Sequence, residues 1–153
     1  MFETLRKPGS FRIDYLNSNA RGLPDAFAFY VRGELVDDAP YSLAAKHHLC
    51  AGLSVIRKNM NCDRLVAIYV DINPAHNLYR PAYVQMKHDL RAGYFRRIFT
   101  FQSGDLLGDW SAEKDLKKLY QDVNGFDVFS YQGEKLHHDP ILEKWLSQVE
   151  EQH

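Results

Sequence analysis

The chain has 153 residues, of which 45% are hydrophobic and 25% charged, and its 19 basic and 20 acidic side chains give a net charge of −1. The length fits one domain, and the composition excludes a disordered or a fibrous protein. The balanced charge excludes general electrostatic attraction to nucleic acid, so that DNA binding would need a local basic patch.

The sequence carries no signal for membrane insertion, and its thiols and imidazoles form no metal motif. No apolar run approaches the roughly 20 residues of a membrane span, and the first residues lack the apolar core of a signal peptide. Cys50 and Cys62 form no CxxC pair, and the pairs His47/His48 and His137/His138 form no HxxxH or HExxH frame. We therefore predict a cytoplasmic protein with no membrane partner and no metal.

The chain begins with an extension and continues as one domain. Residues 1–24 are polar and interrupted by KPGS and RGLP, which predicts an extension with little regular structure. Residues 25–153 form the predicted domain, in which four apolar or aromatic runs are typical of buried strands. In chain order these runs are AFAFYVR from Ala26, RLVAIYVD from Arg64, YFRRIFTF from Tyr94 and FDVFSY from Phe126.

Amphipathic helices are predicted between and after these strands. They begin near Pro40, at Pro81, near Ser111 and at Pro140, and their apolar residues recur at helical spacing. The order βαβαβαβα predicts an α/β three-layer sandwich, in which helices cover both faces of a mostly parallel sheet of four to five strands. Functional groups of such folds collect beyond the carboxyl ends of the strands.

No glycine-rich phosphate loop follows any of these strands, so we predict no nucleotide and no other cofactor.

Charge is polarised along the chain. Residues 80–97 contain five basic side chains against Asp89 alone, a net charge of +4, whereas residues 139–153 carry a net charge of −3. The basic segment is therefore the candidate surface for contact with DNA phosphates.

Several motifs resemble, in order and spacing, the catalytic domain of serine recombinases of the resolvase/invertase family. They are FYVR, YVD, LYRPAYVQMKHDLRAGYFRRIFTF and SGDLLGD, and they span about residues 26 to 132. In that family the first strand ends Tyr-x-Arg-x-Ser, an Arg-Pro opens a helix ending in Asp-Ile-Arg-Ala-Gly, and a later loop reads Asp-Arg-Leu-x-Arg. The resemblance implies a resolvase-like fold.

The resemblance also assigns positions in the active site. Family members cut DNA by attack of a serine hydroxyl on a phosphodiester, while arginines stabilise the phosphate charge. Two of these arginines and the loop aspartate are matched here, whereas the nucleophile and two loop arginines are replaced. The matched positions are Arg32, Arg80 and Asp105, and the replaced ones are Glu34, Leu106 and Asp109.

These replacements remove two positive charges from the family pattern and add two negative ones. We therefore assign no catalytic residue and predict that strand cleavage is lost. The leading hypothesis is a non-enzymatic resolvase-like domain that acts as a binding or assembly module, as a homodimer or with a protein partner.

Two further hypotheses follow from the same residues. In the first, the chain is an accessory or regulatory DNA-binding factor related to site-specific recombinases, or a residual recombinase, with phosphate contacts from Arg91, Arg96 and Arg97. In the second, the chain is an enzyme that uses a cluster of acidic side chains at the strand ends with a divalent cation such as Mg²⁺. Its members are Glu34, Asp71, Asp105 and Asp109. Arg32 and Arg80 also have an interpretation without function, in which they form ion pairs with Glu34, Asp71 or Asp105.

Overall fold

The computed structural model describes residues 10–33, 43–72, 80–101, 106, 110–132 and 135–138. Within these ranges the chain forms one six-stranded sheet and three helices whose bounds are described. The predicted α/β class with a mostly parallel sheet is confirmed, and the sheet has one strand more than the upper limit of the prediction.

The sheet has a parallel centre and antiparallel edges. Its order is β1-β3-β2-β4-β5-β6. The neighbouring pairs β2–β3, β2–β4 and β4–β5 are parallel, whereas β1 and β6 pair antiparallel with β3 and β5. The bounds are Phe11–Tyr15 for β1, Phe27–Gly33 for β2, Leu65–Ile72 for β3, Arg97–Thr100 for β4, Asp127–Gln132 for β5 and Lys135–His138 for β6. The four predicted strands are the four parallel ones.

The described helices are α1 (Leu43–Asn59), α2 (Pro81–Arg91) and α3 (Trp110–Val123). Each corresponds to a predicted helix. The predicted start of α1 at Pro40 and the predicted last helix from Pro140 lie outside the described residues. After α2 the chain turns at Gly93, whose φ of +86° favours glycine.

The two faces of the sheet carry separate apolar cores. Tyr30, Tyr69 and Ile98 point to the face with Met86 of α2 and Leu116 of α3. The other face is covered by α1, and its core contains Phe29, Phe99 and Ile56 among others. Helices therefore cover both faces, and the predicted three-layer arrangement is confirmed.

The amino-terminal segment is more ordered than the sequence predicted. Residues 11–15 form β1, which pairs antiparallel with β3, and a short 3₁₀ turn follows at Ser18–Ala20. The expectation of little regular structure is therefore wrong for these residues. Ile13 packs against the core of the α2 face, whereas Phe11 and Tyr15 are about half exposed. A five-residue edge strand with so little burial gives a weak apolar pattern.

No helix in the described ranges has both the length and the apolar character that a bilayer span requires.

Candidate functional site

The carboxyl ends of β2 and β3 bring two of the site residues side by side. Arg32 lies directly opposite Asp71 in the parallel register of these strands. Side chains along a strand alternate between the two faces of the sheet. Arg32 and Asp71 each follow by two residues a tyrosine that faces α2, so both side chains belong to the α2 face. Arg80 immediately precedes α2, which begins above the carboxyl ends of β2 and β3.

Asp71 holds the first turn of α2 in place. Its carboxylate is 1% exposed and accepts hydrogen bonds of 2.9 Å from the backbone N–H groups of Ala82 and Tyr83. The hydroxyl of Tyr30 donates a third bond of 2.8 Å. Arg80 occupies the N-cap position but makes no side-chain capping bond, so a carboxylate from β3 satisfies the free amides of the helix.

Burial and charge oppose each other at this carboxylate. Burial raises the pKa of Asp71, while the two backbone amides, the Tyr30 hydroxyl and the Arg80 guanidinium act to lower it. The pKa of Tyr30 lies well above its ordinary value, first because the phenol is buried and second because it adjoins Asp71. The hydroxyl of Tyr30 therefore keeps its proton and donates a hydrogen bond to the carboxylate.

Arg80 is a buried cation with unused donors. The residue is 2% exposed, and its guanidinium carbon lies 4.3 Å from the centroid of the Tyr83 ring. Within the described part of the chain, neither Nε nor Nη1 has a hydrogen-bond partner. The anticipated ion pair between Arg80 and Asp71 is not formed. Since buried guanidinium groups are normally paired, these donors mark a place where an anion or water would bind.

Leu106 lies where the resemblance places a loop arginine. It is fully buried and belongs to the same apolar core as Met86 and Leu116. Its side chain therefore supports packing on the α2 face and offers no charge to a phosphate. Glu34, Asp105 and Asp109, the other positions from the comparison with the family motifs, lie outside the described residues.

The structure places the candidate DNA-contact residues at the opposite end of the sheet. Arg91 ends α2 and pairs with Asp122 at 3.4 Å, and Arg96 donates hydrogen bonds to the backbone oxygens of Val123 and Gly125. Arg97 begins β4 and lies 5.9 Å from the centroid of the Phe129 ring. Because α2 spans 11 residues, about 16 Å along the helix separates Arg80 from Arg91. The basic segment is therefore not one surface.

The structure also shows a buried polar cluster that the sequence analysis missed. Asp89 of α2 is 5% exposed and accepts hydrogen bonds from the hydroxyls of Tyr15 at 2.8 Å and Tyr69 at 2.6 Å. Gln85 donates from Nε2 to the other carboxylate oxygen at 3.0 Å. The available signal was an aspartate between Met86 and Leu90, on the apolar face of the predicted helix.

These contacts change the pKa of both tyrosines. Burial and the hydrogen bond to Asp89 raise the pKa of Tyr15 to about 12. The same two causes raise the pKa of Tyr69 above its ordinary value. Both hydroxyls therefore remain protonated donors at neutral pH, and the cluster ties β1 and β3 to α2.

The predicted Mg²⁺ site has one described member, Asp71, which is already occupied by three donors. The ranges that the structure describes contain no group of three side chains able to hold a metal ion. A separate cavity of about 240 Å³ lies at the amino ends of β2 and β4, near the end of α1. Asp25, Asn59 and Arg97 are among its lining residues, and none of the site residues at the carboxyl ends reaches it.

No protein-family model matches the sequence, and no curated protein matches it. Comparison with solved structures finds the N-terminal catalytic domain of TP901-1 integrase, a serine recombinase, with a TM-score of 0.51. The match covers 81% of this chain and 92% of the integrase domain, at 15% sequence identity. This chain has the fold of a serine recombinase catalytic domain. The resolvase-like fold predicted from the sequence motifs is therefore confirmed.

Within this serine recombinase fold, Arg32 and Arg80 lie at the carboxyl ends of β2 and β3. Leu106 lies in the core and Arg91, Arg96 and Arg97 lie at the opposite end of the sheet. The described part of the site thus combines a buried carboxylate, a buried arginine with unused donors and an apolar replacement of a second arginine.

Proposed function

We propose that this chain is a cytoplasmic recombinase-like domain that does not cut DNA and acts as a binding or assembly module. The observation that carries the proposal is the complete burial of Leu106 in the apolar core, at the position assigned to a phosphate-binding arginine. An aliphatic side chain cannot stabilise the charge of a pentacoordinate phosphate.

The missing nucleophile supports the same function. Glu34 occupies the assigned serine position, and no Ser, Thr or Cys lies between Gly33 and Pro40. Loss of one donor to a transition-state oxyanion costs about 2.7 to 4 kcal/mol, and the family pattern is short of two arginines here. A carboxylate in place of the nucleophile also repels the phosphodiester.

The test is nicking of supercoiled plasmid by the purified full chain, with an active serine recombinase as the positive control. We expect no cleavage by the natural protein. Glu34→Ser should not restore cleavage, because Leu106 and Asp109 remain in place of arginines. Nicking by the natural protein that disappears in Arg80→Gln would overturn the proposal.

A second candidate function is DNA binding without cleavage, and the unused donors of Arg80 favour it. Nε and Nη1 face different sides of the guanidinium, so two acceptor oxygens, one at each nitrogen, would satisfy these donors. Arg91 and Arg96 are weaker candidates, because their guanidinium groups already contact Asp122 and two backbone oxygens.

This second function is tested by fluorescence anisotropy with a labelled duplex at about 50 to 200 mM salt. Binding that weakens steeply with salt would support it, and Arg80→Gln should then reduce the salt slope by about one. Arg96→Gln is the matched control at the other end of α2. Absence of binding at the lowest salt would reject DNA contact and leave a protein partner or a second copy.

A further inference from the structure

Within the described residues, the outer edge of β1 is a row of backbone groups that no other strand pairs with. Leu16 donates its N–H to the carbonyl of Val66, and Ile72 donates its N–H to the carbonyl of Ser10. Because backbone groups alternate in direction along an antiparallel strand, the even-numbered residues of β1 point toward β3. The N–H and C=O groups of Phe11, Ile13 and Tyr15 therefore point away from the sheet, where no described residue pairs with them.

Exposed apolar side chains are concentrated in β1 and in the segment that follows it. The described residues include five large hydrophobic side chains that are exposed, and four of them lie between positions 11 and 23. They are Phe11 at 50%, Tyr15 at 46%, Leu16 at 39% and Leu23 at 38%. An uncovered edge strand with apolar neighbours is a surface on which another strand can pair.

The sequence of β1, FRIDY, is complementary to itself in the antiparallel direction. When two copies are paired about Ile13, each Phe11 lies opposite the partner's Tyr15. Each Arg12 lies opposite the partner's Asp14. The pairing thus creates two aromatic pairs and two opposite-charge pairs, both of which stabilise antiparallel strands.

The backbone favours the same register. Pairing about Ile13 places the outward-pointing groups of Phe11, Ile13 and Tyr15 in hydrogen-bonded positions. Arg12 and Asp14 then occupy the closer positions without backbone bonds, where side chains interact most strongly.

The neighbouring registers that keep the backbone bonds are disfavoured by charge. A shift of two residues in one direction places Arg12 opposite the partner's Arg12. A shift in the other direction places Asp14 opposite the partner's Asp14. Like charges directly opposite each other destabilise a strand pair, so the sequence selects one register.

We propose that β1 pairs edge to edge with β1 of a second copy and joins two six-stranded sheets into one continuous sheet across a twofold axis. The inference rests on the proposed assembly function and names its partner and surface. Within one chain Arg12 already contacts Asp14 at 2.8 Å, with both side chains about one-third exposed, so both charges are available at this edge.

The test is sedimentation velocity of the full chain over a range of concentrations. We expect a monomer–dimer equilibrium. Arg12→Asp and Asp14→Arg should each weaken dimerisation at least about tenfold, because two attractive pairs become repulsive. An equimolar mixture of the two variants should recover the affinity as a heterodimer, since opposite charges then face each other again.

Two further variants separate the edge from general effects on folding. Phe11→Pro removes an outward N–H at the exposed start of β1 and should abolish the dimer while the bonds to β3 remain. Val84→Glu changes an equally exposed apolar residue on α2 and should leave the dimer unchanged. Circular dichroism melting verifies that each variant is folded.

The outcomes distinguish this inference from the function on which it rests. A natural protein that stays monomeric at the highest attainable concentration, or a dimer unaffected by both charge reversals, would overturn pairing through β1. Neither result bears on DNA cleavage, which the plasmid assay measures independently. Cleavage by a dimer that the charge reversals disrupt would overturn the proposed function and support this interface.

Discussion

Two buried carboxylates lie at the two ends of α2, Asp71 of β3 at its start and Asp89 in its last turn, and they differ in what surrounds them. Asp71 accepts bonds from two backbone amides and the Tyr30 hydroxyl, and the neighbouring Arg80 retains two unpaired donors. Asp89 accepts bonds from two tyrosines and Gln85, which satisfy both of its oxygens. The first cluster has spare capacity for a ligand, and the second is complete.

The difference indicates different roles for two polar clusters of similar burial. Buried polar groups are stable when their hydrogen bonds are made, so the Asp89 cluster fastens β1 to the domain. A buried guanidinium with unused donors lowers stability unless something binds it. The Asp71 end of α2 is therefore the end at which we place binding.

The largest effect is expected for Asp71→Ala. The substitution leaves the amides of Ala82 and Tyr83 without an acceptor and leaves the Arg80 guanidinium without a neighbouring negative charge. We expect the free energy of unfolding, measured with urea, to fall by about 1 to 3 kcal/mol for each buried amide left without an acceptor. Asp71→Asn, which keeps one accepting oxygen, should cost less. Equal losses in both variants would show that the charge rather than the capping bonds matters.

Leu90→Ala measures how much an apolar contact of α2 contributes to stability, for comparison with the polar contacts of Asp71. Leu90 is 3% exposed on the face of α2 that packs against the sheet, and its truncation should cost about 2 to 5 kcal/mol in urea unfolding. Val84→Ala, on the exposed side of the same helix, should change stability by less than about 0.5 kcal/mol. Similar values for the two variants would contradict the packing described for α2.

The completeness of the Asp89 cluster is tested by Tyr69→Phe and Tyr15→Phe. Tyr69 is fully buried, and removal of its hydroxyl should cost about 1.5 to 3 kcal/mol, as for other bonds to charged groups. Tyr15 is 46% exposed, so water replaces part of its bond and the loss should be smaller. A larger loss of stability for Tyr15→Phe than for Tyr69→Phe, in thermal or urea unfolding, would contradict this expected difference between the two tyrosines.

Tyr15 also predicts a dependence on alkaline pH. Its pKa is raised to about 12 in the folded protein from an ordinary value of 10.0, so its contribution is fully present below pH 10. The contribution is lost as the pH rises from about 10 toward 12. The difference in stability between the natural protein and Tyr15→Phe should shrink over that interval in pH-dependent melting.

The smallest effect is expected at Asp115, a carboxylate of α3 that is one-third exposed. Partial burial raises its pKa, but hydrogen bonds from Lys87 and Tyr83, each 2.8 Å long, outweigh burial and lower it. Its contribution is present above the ordinary pKa and is lost as the pH falls through the lowered value. Asp115→Asn should cost no more than about 1 kcal/mol at neutral pH, and less in acid.

The parallel strands and α2 were predictable because each is a strong apolar pattern. AFAFYVR and RLVAIYVD are buried on both faces as β2 and β3, and Pro81 and Gly93 bracket α2. The strand β1 was missed because Ile13 alone among its apolar residues packs on the core. At the site, the positions of Arg32 and Arg80 followed from the motifs, whereas the spare donors of Arg80 depend on the three-dimensional packing around it.

The sequence by itself determined the layers of this protein and its resemblance to the recombinase motifs, because both depend on residue types and their spacing along the chain. Only the tertiary structure decided which charges meet. It separated Arg80 from Arg91, Arg96 and Arg97 by the length of α2, and it buried Leu106 in the core. It also placed β1 at the edge of the described sheet. Such contacts join residues that are distant in the chain. The periodicity of a short segment indicates its secondary structure, but it does not indicate which distant residues that segment will contact.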